Sequence, residues 1–368
     1  MRNNMKRKLL LTILTLISIT TFISCGRINV TTQDTFVITD VLNREITIKN
    51  NPQRFVCIGP NSLRLYTYIA DITKIVGIEN FEIIQTAKGR PYIESYQSFI
   101  NTLPIISEGG PKATPNAENI LLANPDVIIM SSHYEINIIE NLATTTNIPV
   151  VVITNDTSEG TIFSDALIKS LQIIGEVTGN TTRANELIAY LNQVKEDLYQ
   201  RTKNIDEVKT AYIGSLSKAG HQQITSTSGD YEMFALVNIT NLAKTNQIEN
   251  HAIIDKETLL KWDPQIIFID ANGYDLLMQD RDLNFEFYET LTAFKNNNVY
   301  LQMPYNFYST NLEIALANAY YCGLVVYPEM FSDIIISELV NEISQVFLNI
   351  DIVDILARDY YGGYQKLS

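Results

Sequence analysis

A chain of 368 residues is long enough for two domains rather than one. Its 41 acidic residues outnumber 27 lysines and arginines, the formal charge is −14, and no basic stripe is present, which argues against nucleic-acid binding. Hydrophobic content of 46% and charged content of 18% describe a globular protein with material for two cores.

The first segment is basic from Met1 to Lys8 and apolar from Leu9 to Ile23. That apolar run is about 15 residues, short of the roughly 20 a membrane-spanning helix needs. Phe22-Ile23-Ser24-Cys25 resembles the lipobox of a bacterial lipoprotein signal. On that reading residues 1–24 are removed, Cys25 carries the lipid, and residues 25–35 are a short polar tether; an uncleaved anchor is the alternative. Losing Arg2, Lys6, Arg7 and Lys8 with no acid takes the charge from −14 to −18. Cys57 and Cys322 fall in apolar segments and read as buried free thiols, not a disulfide framework.

Phe36–Asp40 and Glu45–Lys49 alternate around Val41–Arg44 and predict a β-hairpin. Phe55–Ile58 is a buried strand, turned by Gly59-Pro60-Asn61-Ser62 into a helix. A strand at Ile75–Ile78 follows. Arg90–Pro104, rich in Tyr and polar residues, reads as a loop with a short helix. Pro115-Asn116-Ala117-Glu118 opens a helix in the manner the helix dipole prefers. Strands at Val127–Met130 and Val150–Ile153 complete the first half. Strands alternating with helices predict parallel βα units.

Phe163–Lys203 organises the chain. It predicts two helices in series, broken at Thr178-Gly179-Asn180. In the second, Ala184, Leu187, Ile188, Leu191, Val194 and Leu198 form one apolar stripe at helical period. A helix from Thr181 to Lys203 would span about 35 Å. A rod joining two lobes fits this pattern, and so does a long helix packed on one larger domain. Beyond it the rhythm restarts, with strands at Ala211–Ile213, Ile266–Ile269 and Val299–Leu301. A long apolar-faced helix follows over Thr310–Val326, and the remainder reads as helical cover. The division is therefore 36–162 as an N-terminal lobe, 163–203 as linking helices, and 204–368 as a C-terminal lobe with its cover.

In open α/β sheets, ligands sit beyond the carboxyl ends of the strands. The loops at those ends carry Asn61, Ser62, Arg64, Arg90, Tyr92, His133, Tyr134, His221, Tyr274, Asn306 and Tyr308. Amides and tyrosines from two lobes facing one cleft suit a bulky amphipathic ligand.

Three stretches carry a family resemblance: "VITDVLNREITIKNNPQRFVCIGPNSLRLYTYI", "PNAENILLANPDVIIMSS" and "KETLLKWDPQIIFID". They resemble the substrate-binding lipoproteins of bacterial ABC importers for ferric siderophores, haem and cobalamin. The likeness runs from about Phe36 to at least Pro328, and "MPYNFYSTNLEIALANAYYCGLVVYPEMF" is similar to a branch labelled iron transport. The resemblance implies an α/β fold of two βα lobes, mainly parallel, joined by one long helix with the ligand cleft between them. It implies capture of a ferric chelate and delivery to a permease dimer with its ATPase, from a lipid-anchored position in the cell envelope. No intrinsic cofactor is implied. Ligand-binding loops would correspond to Gly59–Arg64, Arg90–Tyr92, Ser131–Tyr134, Gly214–Gln223, Ala271–Tyr274 and Pro304–Tyr308. Glu118 and Glu257 would be the acids that dock to the permease.

Haem or cobalamin binding by the same architecture is the near alternative. An enzyme is the distant one: the three histidines, His133, His221 and His251, form no H-E-x-x-H, and there is no G-x-S-x-G elbow or P-loop. Capture of bare zinc or manganese needs three or four converging His or carboxylate ligands, for which this chain has few histidines. A purely adhesive lipoprotein leaves the paired acids without a purpose.

Overall fold

The computed structural model describes residues 34–85, 87–110, 113–154, 162–218 and 220–367. The predicted signal segment, Cys25 and most of the tether lie outside these residues. The hairpin pairs β1 (Thr35–Thr39) with β2 (Glu45–Lys49), antiparallel, with Thr39 opposite Glu45. Buried Asp40 makes the turn. Its carboxylate accepts the Leu42 and Arg44 amides and pairs with the Arg44 guanidinium at 2.6 Å.

The first lobe is a five-stranded parallel sheet of β3 (Phe55–Ile58), β4 (Ile75–Glu79), β5 (Ile105–Ser107), β6 (Val127–Ser131) and β7 (Val150–Ile153), in the order β5-β4-β3-β6-β7. β3, β6 and β7 are buried along their whole length, as expected for strands covered on both faces. One prediction needs correction. The stretch after Arg90 is a ten-residue helix, Pro91–Ile100, burying Pro91, Tyr92, Ile93 and Ile100, and β5 follows it directly.

Ser164 caps the helix Asp165–Thr178 by accepting the Leu167 amide, and Gly179 ends it at φ 73°. The next helix, Thr181–Thr202, has 22 residues and therefore spans about 33 Å. It buries Ala184, Leu187, Leu191, Val194 and Leu198 of the predicted stripe, and Ile188 at its edge is half-buried. The two helices meet at a corner where Gly175 packs on Ala184: a Cβ on Gly175 would lie 2.7 Å from the Ala184 Cβ.

The second lobe repeats the first. It comprises β8 (Thr210–Gly214), β9 (Ser226–Ser228), β10 (Thr240–Asn241), β11 (His251–Ile253), β12 (Ile267–Asp270), β13 (Val299–Gln302) and β14 (Gln365–Leu367). The main sheet runs β10-β8-β12-β13-β14, parallel except for β14. β9 and β11 form a separate antiparallel pair, with Ser228 opposite His251. β14 is a second correction, since the C-terminal remainder is helical only as far as Asp359.

The C-terminal helices do more than cover their own lobe. Ile336–Leu348 reaches back to the first lobe, where the Phe347 ring meets Tyr68 at 5.0 Å. Arg358 pairs with Glu94 at 3.0 Å. From Thr35 onward the chain clusters as one compact unit. No helix of the described residues is long and apolar enough to cross a membrane.

Candidate functional site

The C-terminal ends of β4, β8, β12 and β13 converge on a cavity of about 930 Å³. The first lobe contributes Phe81, Gln85 and Lys88 to its wall. The second contributes Lys218 and His221 after β8, His251 of β11, Asn272 after β12, and Asn306, Phe307 and Tyr308 after β13. One wall is aromatic: the Phe81 ring lies 4.4 Å from Tyr308 and 6.5 Å from Phe307. Lys88 is positioned over the Tyr360 ring at 4.7 Å, so the C-terminal helix sets its place. Two lysines face one acid, Asp230, which pairs with Lys244 at 2.9 Å. The chain is strongly acidic, but its cavity is not.

Of the residues expected at the ligand, His221, Asn306 and Tyr308 line this cavity. Arg64, Arg90 and Tyr92 lie beneath the wall and are fully buried. Arg64 donates to Asn311 Oδ1 at 3.0 Å, Phe307 O at 2.6 Å and Tyr308 O at 3.0 Å. Arg90 pairs with Glu82 at 2.5 Å and lies 5.2 Å from the Phe307 ring centroid. The Tyr92 hydroxyl donates to Glu82. These groups hold the wall from behind. Asn61 sits at φ 73° before the helix Ser62–Ile69, and the Ser62 hydroxyl is bonded to Ile58 O. Tyr134 is buried, with no hydrogen-bond partner for its hydroxyl. Tyr274 meets the Tyr361 ring at 4.4 Å and does not line the cavity.

Phe81 and Lys88 fall outside the loops expected at the ligand, Lys218 and Phe307 lie within them without being named singly, and His251, one of the three histidines, was not expected at the cavity. Phe307 stands between two residues that were, so its place in the same loop was the available signal. Lys88 had none.

A model of the periplasmic binding protein family matches residues 56–304. The chain belongs to that family. Molybdate-binding protein MolA of Haemophilus influenzae is 24% identical over 331 residues, 84% of this chain and 90% of MolA. The structure of MolA bound to molybdate superposes with a TM-score of 0.66 at 22% identity, covering 86% of this chain and 98% of that one. FepB from Veillonella parvula, a TroA-like periplasmic binding protein, gives 0.66 at 21%, over 86% and 97% of the two chains. Helicobacter pylori CeuE with Ni(II) bound gives 0.58 at 19%, over 86% and 96%. These likenesses bear out the two-lobed α/β fold. Periplasmic binding proteins bind a transported solute; they are not enzymes and carry no cofactor of their own. This one is the substrate-binding component of an ABC importer and works outside the cytoplasm.

Glu118 and Glu257 occupy matching places in this binding protein. Each is exposed in the first turn of a seven-residue helix, Ala117–Ala123 and Lys256–Trp262. Asn116 and Asp255 cap those helices, and Asn124 and Asp263, both left-handed, end them.

Two carboxyls lie buried at the C-terminal ends of their strands, Glu79 on β4 and Asp270 on β12. Burial pushes Glu79 up to about 7, against a pull from the Gly59 amide. Burial likewise raises Asp270 to about 6, opposed by the Asn272 and Ser217 amides. The folded state thus holds protons that the unfolded chain gives up near pH 4. Stability from these groups is full below that pH and is lost as pH rises towards 7. At about 1.4 kcal/mol per unit, denaturant unfolding should give a free energy on the order of 3–4 kcal/mol lower at pH 8 than at pH 5. Glu79→Gln should remove the larger part of that slope.

Proposed function

We propose that the protein captures an anionic metal chelate of siderophore size, a ferric siderophore, and delivers it to its permease. The carrying observation is the cavity: about 930 Å³, with two lysines, two histidines and an aromatic wall around a single acid. Sites for drug-sized ligands run roughly 300–1,000 Å³ and combine apolar faces with a few placed polar groups. Lysines supply the charge for an anion, and the faces of Phe81, Phe307 and Tyr308 suit the flat rings of a chelator.

Bare molybdate is the second reading, favoured by the likeness to MolA along most of its length. Volume counts against it. A tetrahedral oxyanion has four oxygens, and at roughly 30 Å³ each, a water's share of the liquid, it fills only about 120 Å³. Haem and cobalamin fit the size, and the aromatic wall would accept either.

Thermal shift and calorimetric titration with ferric tris-catecholate, ferric tris-hydroxamate, haem, cobalamin and molybdate separate these readings. A ferric chelate should bind saturably and unchanged, and molybdate should not. Molybdate as the only binder would overturn the proposal. Lys88→Ala and Lys218→Ala should each weaken an anionic chelate about tenfold or more, since a charged hydrogen bond is worth about 1.5–3 kcal/mol. In this reading Cys25 anchors the protein by lipid to the membrane face where the permease opens, and Glu118 and Glu257 dock to it. The intact mass of the membrane-extracted protein tests the anchor.

A further inference from the structure

The loop that walls the cavity after β13 belongs to the second lobe, but much of its hold comes from the first. Arg64 grips the Phe307 and Tyr308 carbonyls, and the Asn61 amide donates to Tyr308 O at 3.3 Å. Asn311, which receives Arg64, also donates to Gly89 O at 2.8 Å. The Tyr308 hydroxyl accepts the Gly110 amide at 3.0 Å and donates to Glu79 Oε2 at 3.0 Å. Tyr308 and Ser309 sit at φ 55° and 86°, a left-handed pair without glycine. Such backbone persists only where its surroundings over-determine it.

We infer that Glu79 and Arg64 are positioning residues of the binding site, latching the Phe307–Tyr308 wall across the cleft, and that the proton on Glu79 sets how firmly the latch holds. The inference rests on the cavity's being the ligand site.

Glu79 is closed in on every side. Its carboxylate accepts the Gly59 amide at 3.0 Å, the Ser107 hydroxyl at 3.1 Å and Tyr308. The titratable neighbours are Cys57 of β3, Glu82 of the following helix, Tyr134 after β6 and Tyr308. The charge of Glu82 disfavours a second carboxylate beside it, and Arg64 and Arg90 are spent on Glu82 and on backbone carbonyls. Lifting Tyr308 takes away one donor, which by itself would disfavour the carboxylate, but it also lets water reach Glu79, whose burial is the larger cause of its retained proton. Water favours the ionised form, so the lifted state releases the proton and the latched state keeps it. A rise in pH therefore loosens the latch.

Hydrogen exchange on the ligand-free whole protein reads this directly. Peptides covering residues 59–66 and 305–312 would be followed from pH 5.5 to 8, corrected for the intrinsic rate, with residues 127–131 and 267–270 as controls. Protection of the two latch peptides should fall roughly tenfold or more over that range while the controls hold. Glu79→Gln should keep them protected throughout, and Tyr308→Phe should leave them exchanging fast at every pH. A flat wild-type profile, or an unchanged slope in Glu79→Gln, would overturn the latch. Because no ligand is added, this result is independent of whether the ferric chelate proves to be the solute.

Discussion

Arg90→Ala should destabilise the protein by about 3–5 kcal/mol, measured by denaturant unfolding at neutral pH. Arg90 and Glu82 form an ion pair in which both side chains are buried, one fully and the other 3% exposed. Removing one partner of such a pair leaves an uncompensated charge, which is the costly case. Glu82 also accepts the Tyr92 hydroxyl, and Arg90 also donates to Gln85 O, so the loss spreads to both sides of the wall. Arg90→Ala with Glu82→Leu should recover a large part of the stability, because replacing both charges with apolar groups is often close to neutral. If Arg90→Ala unfolds like wild type, the pair contributes nothing and the wall is held otherwise.

Glu118→Arg combined with Glu257→Arg should abolish most uptake in the reconstituted transporter while ligand affinity of the isolated protein stays unchanged. The two acids stand exposed on different lobes and outside the cavity lining. Coupling between charges across an interface starts at about 1.5 kcal/mol, enough for a tenfold loss of complex at each lobe. Two linked contacts multiply, so the double reversal should be far worse than either single one. If arginines of the permease receive these acids, reversing those charges as well should restore transport. Normal uptake by the double variant would remove these acids from docking and leave the fold and ligand untouched.

The linking helix was readable because one side of it is buried and the other is wet. Its stripe from Ala184 to Leu198 needs nothing beyond the 3.6-residue period. The matched helices of Glu118 and Glu257 were readable because caps, acid and stop signal recur in both halves. The sides of the cavity wall were not readable. Arg64, Arg90 and Tyr92 follow strand ends, as ligand contacts do, and only partners such as Asn311, 247 positions away, turn them inward. Lys88 faces the cavity because Tyr360 stands beneath it, a contact across 272 residues (360 − 88) with no local trace. β9 and β14, three residues each, are too short for alternation to register.

The return of the C-terminal helices to the first lobe bears on how the chain is made. Phe347 and Leu348 belong to the same apolar cluster as Leu63, Tyr68 and Leu171. Arg183 donates to Tyr68 O and to Val346 O, tying the start of the long helix to both. The face of the first lobe around Tyr68 is not covered until some 350 residues have left the ribosome, although the lobe's own sheet is complete by Ile153 and its other face packs on residues already made. A chain with that face uncovered is not yet fully folded, and its final segment acts as a drawstring, pulled tight last.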